Sequence, residues 1–284
     1  MKLSPLFALL AGIGLASTAG AATFSDTYIG WRTGSEFAEP FNNQSISKNI
    51  FNLSNVSGYK YGSNFFNVDL LISDKNDPAS AAQPNTGAQE AYVVYRHTLS
   101  LGAVTGTPLK FGGIIRDVIL QAGFDWNTKS DAGYNSKKQM LVVGPGVSFD
   151  VPGFLDVAVL EFYESNAPYN TFTNTGVSRY HYDPHPALSA AFGIPIGNLP
   201  LSFGGYALWI AAKGRDEFGN PTVAETHFDV KLMADVGKLA GGPSGTFQAG
   251  VAYEYWQNKF GNDTAIAGKG AFAHTPMVRA EYHF

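Results

Sequence analysis

Tyr180-His-Tyr-Asp-Pro-His-Pro186 places two imidazoles four residues apart with a carboxylate between them, a donor set that suits zinc. Pro184 and the loop setting work against helical ligand geometry for the two histidines. The stretch therefore reads as a turn in preference to a metal site. Ser45-Ile-Ser-Lys48 has the Ser-x-x-Lys spacing of acylating serine enzymes, but no Gly-x-Ser-x-Gly elbow accompanies it. Gly144-Pro-Gly146 lacks the lysine of a phosphate loop. No catalytic residue, no metal and no cofactor is expected. A second set of residues says more, because of its spacing. Arg32, Asn67, Asp69, Asp117, Gln121, Asp125, Asp229, Lys231, Glu254, Arg279 and Glu281 lie in extended segments whose opposite parity is largely apolar, and Tyr28, Phe65 and Tyr206 share their parity. A period of two gathers them on one face of each strand. Such a face suits the wall of a wet pore, where ionised groups set selectivity and aromatic rings stack on a flat solute. The plainer reading is a charge ladder that braces the wall, with the rings packed as filler.

The elements that must hold these residues are strands. The clearest is the last, His274-Thr-Pro-Met-Val-Arg-Ala-Glu-Tyr-His-Phe284. Pro276, Val278, Ala280, Tyr282 and Phe284 fall on one side; Met277, Arg279, Glu281 and His283 fall on the other. An apolar face ending in a terminal Phe is the pattern of the final strand of outer-membrane barrels, the strand through which the barrel-assembly machinery is expected to engage the chain. Eleven further strands precede it, starting near Phe24, Ser45, Phe65, Gln89, Arg116, Lys137, Leu155, His185, Leu201, Thr226 and Thr246. Alternation is sharp in Arg116 to Thr128 and Thr226 to Val236, poor in Ser45 to Ser57 and mixed in Leu155 to Glu164. Connections after strands 1, 3, 5, 7, 9 and 11 are long and polar, including Asp74 to Gly87 and Ser165 to Pro184. Those after strands 2, 6 and 8 are short and marked by Gly or Pro; those after strands 4 and 10 are intermediate. An even strand count with loops sorted by end predicts an all-β, closed antiparallel up-and-down transmembrane β-barrel of 12 strands. A soluble sandwich has no reason to sort its loops.

Composition agrees. Met1-Lys-Leu-Ser-Pro, an apolar run from Leu6 to Ala16 and the small residues to Ala22 read as a secretory leader over 1–22, leaving 23–284 as a single outer-membrane domain. Removing Lys2 leaves 18 basic and 23 acidic side chains and a net charge of −5. That balance disfavours a nucleic-acid partner. The absence of cysteine removes disulfides and thiolate chemistry. Charged residues are 15%, against about 25% in a typical soluble domain, which leaves two fates for an exported, aromatic-rich chain with no spanning helix: a periplasmic or secreted β-domain, or a membrane barrel.

The N-terminal third resembles the Tsx-like family of outer-membrane nucleoside-specific channels. The resemblance is carried by Phe24-Ser-Asp-Thr-Tyr-Ile-Gly-Trp-Arg32, Phe37-Ala-Glu-Pro-Phe41, Ile46-Ser-Lys-Asn-Ile50 and the run from Val56 to Leu70. It continues in Phe111-Gly112, Arg116-Asp117, Asp131 to Lys137 and Glu164-Ser-Asn-Ala-Pro168. The outer envelope protein branch of that family is the most similar. The resemblance implies a monomeric twelve-stranded barrel in outer-membrane lipid, with a narrow channel for nucleosides or similar small polar solutes lined by aromatic and ionisable groups. Three rivals follow from the same barrel: a general porin, an enzyme acting on outer-membrane lipids, and a plugged structural or adhesin barrel.

Overall fold

In the computed structural model, which describes residues 22–77, 87–170 and 173–284, twelve long strands follow one another around a closed ring. They are β1 Phe24–Phe37, β2 Ile46–Tyr59, β3 Gly62–Ser73, β4 Gln89–Ser100, β5 Ile115–Lys129 and β6 Gln139–Phe149. They continue with β7 Phe154–Asn166, β8 His185–Pro195, β9 Leu201–Ile210, β10 Glu225–Asp235, β11 Phe247–Gln257 and β12 Phe272–His283. The leader expected over 1–22 lies, apart from Ala22, outside the described residues, as does 78–86 of the loop after β3. Each strand pairs antiparallel with the next. β1 pairs with β12 in the register Tyr28 opposite His283 and Arg32 opposite Arg279. The ring of ladders is therefore complete and leaves no edge, the condition for satisfying strand backbone inside a bilayer. No helix among the described residues is long and apolar enough to cross a membrane; the crossing is made by strands.

Alternation sorts the two surfaces. Ile29, Phe51, Leu141, Val159, Leu188, Leu232, Val251 and Val278 are all exposed on the outside, where acyl chains replace water as their surroundings. Arg32, Lys48, Gln121, Asp125, Asp229 and Glu281 are each under a tenth exposed and point inward. Strand lengths of 10 to 15 residues meet or exceed the ~9–11 tilted residues that span the hydrocarbon layer.

The two rims differ. At one rim Lys60 and Tyr61 join β2 to β3, while 150–153 and 196–200 make the other tight turns. Gly153 has φ of 79°, and a side chain there would run into the Gly193 carbonyl, so this turn needs glycine. Both ends of the ladder lie at this rim, tied by Thr23 N–H to Gly58 O and Phe284 N–H to Thr27 O. The two connections of intermediate length are also here, and the reason is local. Each contains a short helical turn, Leu101–Thr105 capped by Ser100 and Val236–Leu239 capped by Asp235. The opposite rim carries the long loops. That after β7 carries short pairings of its own, with Tyr169–Asn170 paired to Thr175–Gly176 and Tyr180–His181 added to β7.

Candidate solute path through the barrel

At the middle of the bore side chains from β10, β12, β1 and β3 bring the charges together. The register sets Arg32 of β1 directly opposite Arg279 of β12, a like-charge pair that destabilises a sheet unless anions bracket it. Asp69, two strands away on β3, supplies one anion: Arg32 Nη1 and Nη2 donate to its two oxygens at 3.3 and 2.7 Å. This is the bidentate fork that guanidinium geometry favours. Asn67 donates to the same carboxylate at 3.0 Å and is itself bonded by Ser54. Glu281, 1% exposed, supplies the other anion. It accepts from Arg279 Nε at 2.6 Å and from Lys231 Nζ at 2.6 and 2.8 Å. Lys231 also lies 5.3 Å over the Tyr28 ring, and Tyr28 stacks on His283 at 4.8 Å. Across the ring, Arg96 Nη1 donates to Asp125 Oδ1 at 2.5 Å and Tyr92 Oη donates to Asp125 Oδ2 at 3.0 Å.

An aromatic line runs up the same wall. Tyr206 on β9 is 37% exposed to the bore and its hydroxyl is 3.3 Å from His227 Nε2. His227 stacks on Trp256 at 3.9 Å between centroids and 9° between planes, and Phe260 closes edge-on over Trp256 at 4.8 Å. Cross-strand register makes this possible: His227 is opposite Trp256, and Tyr206 is opposite Asp229, which is opposite Glu254.

The remaining arc of the inner wall is apolar. Met140, Val142, Ala158, Leu160, Phe162, Ala187 and Ile210, on β6 to β9, are all buried and pack together. Outward residues of these strands, such as Leu141, Val143 and Val159, are apolar as well. The mixed alternation of the seventh strand follows, because Ala158, Leu160 and Phe162 on its inner face are as apolar as Val157 and Val159 on its outer one. A second inner cluster of Phe37, Ile46, Ile50, Ala252 and Met277 likewise explains the weak pattern of β2.

Toward the long-loop rim the buried charges gather in ion clusters. Glu39 Oε1, from the loop after β1, lies 2.9 Å from Lys48, 3.3 Å from Lys259 and 3.5 Å from Lys129. Asp77 takes Lys129 at 2.8 Å. Burial alone would raise the Glu39 carboxyl, but the ammonium groups of Lys129, Lys259 and Lys48 hold it well below the usual carboxylate range. On the apolar side Glu164 takes Lys213 at 2.9 Å and Lys138 at 3.3 Å.

The sequence-derived set is placed as follows. Arg32, Asn67, Asp69, Asp229, Lys231, Arg279 and Glu281, with Tyr28, Tyr206 and Glu254, share the mid-bore wall. Gln121 and Asp125 face them from β5, Gln121 donating to Thr98 Oγ1 at 3.4 Å. Phe65 has the inward parity of β3 beside Arg96. Asp117 is used up locally, accepting from Ser100 Oγ and from Gly102 N–H at 3.1 Å, and it holds the helical turn at the short-turn rim. His181 is exposed while His185 is 1% exposed with Nδ1 turned to Asp183 O at 2.9 Å. Among the described residues no group of three His, Asp or Glu is disposed to hold a metal ion. Ser45 donates to Glu36 at 2.7 Å and does not approach Lys48 as a nucleophile would. Sequence reasoning missed His227 and Trp256, although each follows the parity of its neighbour Asp229 or Glu254. It also missed Lys48, Lys129 and Lys259, whose meeting at Glu39 depends on two loops.

No family model matches the chain, and no curated protein does. Among solved structures, the translocator domain of autotransporter NalP from Neisseria meningitidis is 11% identical with a TM-score of 0.45, over 98% of this chain and 93% of that one. KdgM porin is 11% identical with a TM-score of 0.43, over 90% of this chain and 99% of that one. Pseudomonas putida OprB is 8% identical with a TM-score of 0.32, over 93% and 94%. At this level of likeness the chemistry of the bore has to be read from its own residues.

Proposed function

We propose that this protein is a passive channel of the bacterial outer membrane for small polar solutes, reached through a secretory leader and working as a monomer. The observation that carries the reading is the pairing of an apolar outer wall with an inner wall whose mid-bore charges are cross-braced. Ionised groups pass no lipid, and water reaches them: Lys231 is 22% exposed and Arg96 19%. The short-turn rim then faces the periplasm and the long loops face outward.

A nucleoside preference is the finer reading. Tyr206, with the His227–Trp256 stack beside it, offers ring faces to a base, and the Arg32, Asp69 and Asp229 groups offer both donors and acceptors to ribose hydroxyls. Single-channel recording in planar bilayers tests both levels. Purified protein is expected to give discrete conductance, and adenosine or uridine to block it more strongly than glucose. Conductance indifferent to nucleosides leaves a general porin, and absence of conductance removes the channel. Tyr206→Ala is expected to weaken nucleoside block about tenfold, the loss of one stacking partner at ~1–3 kcal/mol.

A further inference from the structure

Each mid-bore cation has a carboxylate in hydrogen-bond contact, while two of the carboxylates there have no such partner. Arg32 is forked by Asp69, and Arg279 and Lys231 are both held by Glu281. Asp229 and Glu254 remain. Among the described residues neither carboxylate accepts a hydrogen bond, and Glu254 Oε1 is buried with no partner. Asp229 has only Arg32 Nε and Arg279 Nη1, each at 4.0 Å; Glu254 has only His227 Nε2, also at 4.0 Å. The two sit directly opposite each other on β10 and β11, where like charges repel. Three cations against four carboxylates leave this level of the bore one charge negative. The second observation is independent of the acidic pair. Arg32, 8% exposed, keeps its Nε–H unpartnered and directed at the same space. Tyr206, the cross-strand neighbour of Asp229, flanks it with a ring face.

We infer that Asp229 and Glu254, with Arg32 Nε and Tyr206, form a selectivity site for solutes carrying a protonated amine next to a hydrogen-bond acceptor, the chemistry of an amino sugar or amino alcohol. The ammonium places its donors on the two carboxylates, its neighbouring oxygen accepts from Arg32 Nε–H, and the Tyr206 face adds cation–π attraction. The inference rests on the channel reading and sharpens it, since a neutral solute leaves the repulsion between Asp229 and Glu254 in place.

The test compares glucosamine with glucose, which differ by an ammonium in place of one hydroxyl. Added to one side of a planar bilayer, glucosamine is expected to reduce potassium current at roughly tenfold lower concentration than glucose. Asp229→Asn and Glu254→Gln are each expected to bring that ratio close to one. Asp150→Asn, an equal charge change at the exposed short-turn rim, is expected to leave it unchanged. Equal block by the two sugars, or a preference that survives both bore variants, overturns the site. If the wild-type barrel does not conduct, the channel reading falls by itself, and the site is judged by calorimetry in detergent. Glucosamine heat lost in Asp229→Asn upholds it, and no glucosamine heat with wild-type protein overturns it.

Discussion

Replacing Glu281 by Gln keeps the size and one acceptor oxygen of the side chain and removes only its charge. Glu281 accepts two bonds from Lys231 and one from Arg279, so the change leaves two cations facing each other across β10 and β12. Breaking a buried ion pair by removing one partner costs about 3–5 kcal/mol. Lys231 is 22% exposed and gains water when released, whereas Arg279, at 10%, keeps only Asp229 at 4.0 Å. The expected cost is therefore near the lower end, about 3 kcal/mol. Guanidinium unfolding of the barrel in lipid vesicles, followed by tryptophan fluorescence, measures it. Adding Lys231→Met to Glu281→Gln removes the stranded cation and is expected to return about 1–2 kcal/mol, a coupling that a double-mutant cycle isolates. A single variant within about 0.5 kcal/mol of wild type, or strict additivity in the cycle, refutes the view that these charges brace the wall.

Further outcomes follow from other parts of the bore. Phe162→Ala, at a site 1% exposed in the apolar arc, is expected to cost about 3–5 kcal/mol in the same assay. Ser100→Ala removes the cap bond to Ala103 N–H and is expected to cost about 1 kcal/mol. For Glu39 the sign is set by its depressed carboxyl. Its contribution is complete above the ordinary carboxylate range and is lost as pH falls through the lower folded value. Hydrogen exchange at Phe41 N–H, bonded to Ala267 O, is expected to stay slow between pH 7 and 5 once corrected for intrinsic rates. Glu39→Gln is expected to speed it at pH 7.

The strands were legible because lipid and water ask opposite things of alternate residues. In β5 and β10 both demands are met at most steps, Ile119 and Met233 being apolar residues of inward parity, and the expected bounds fall within one or two residues of the observed ones. In β7 the rule blurs, since Leu160 and Phe162 face an apolar inner arc while Val159 faces lipid, and no periodicity separates two apolar faces. β1 ran five residues beyond its expected end at Arg32, because the register shift between Gly34 and Phe37 hides its last turn of alternation. Inward parity was legible for each mid-bore charge, but partnership was not. Arg32 and Asp69 are 37 residues apart and two strands apart, and Lys231 meets Glu281 only because long side chains lean across an intervening strand. Such pairings depend on barrel register and radius, which local sequence does not carry.

The division of the inner wall also limits what kind of solute such a barrel suits. Charges occupy β10 through β12 and β1 through β5, and the bore guanidiniums of Arg32, Arg96 and Arg279 each have a carboxylate on the same, a neighbouring or a next-neighbouring strand. Within β6 to β9 the buried inner side chains are apolar between the Ser148–Asp156 pair near the short-turn rim and Glu164 with its lysines at the loop rim. A solute moving through such a bore meets hydrogen-bonding groups on one side and a greasy surface on the other. Fully hydrated ions gain nothing from the apolar arc, and purely apolar molecules gain nothing from the charged one. The wall therefore favours molecules that are polar along one edge and ring-like along the other, and it does so before any single residue is assigned a contact.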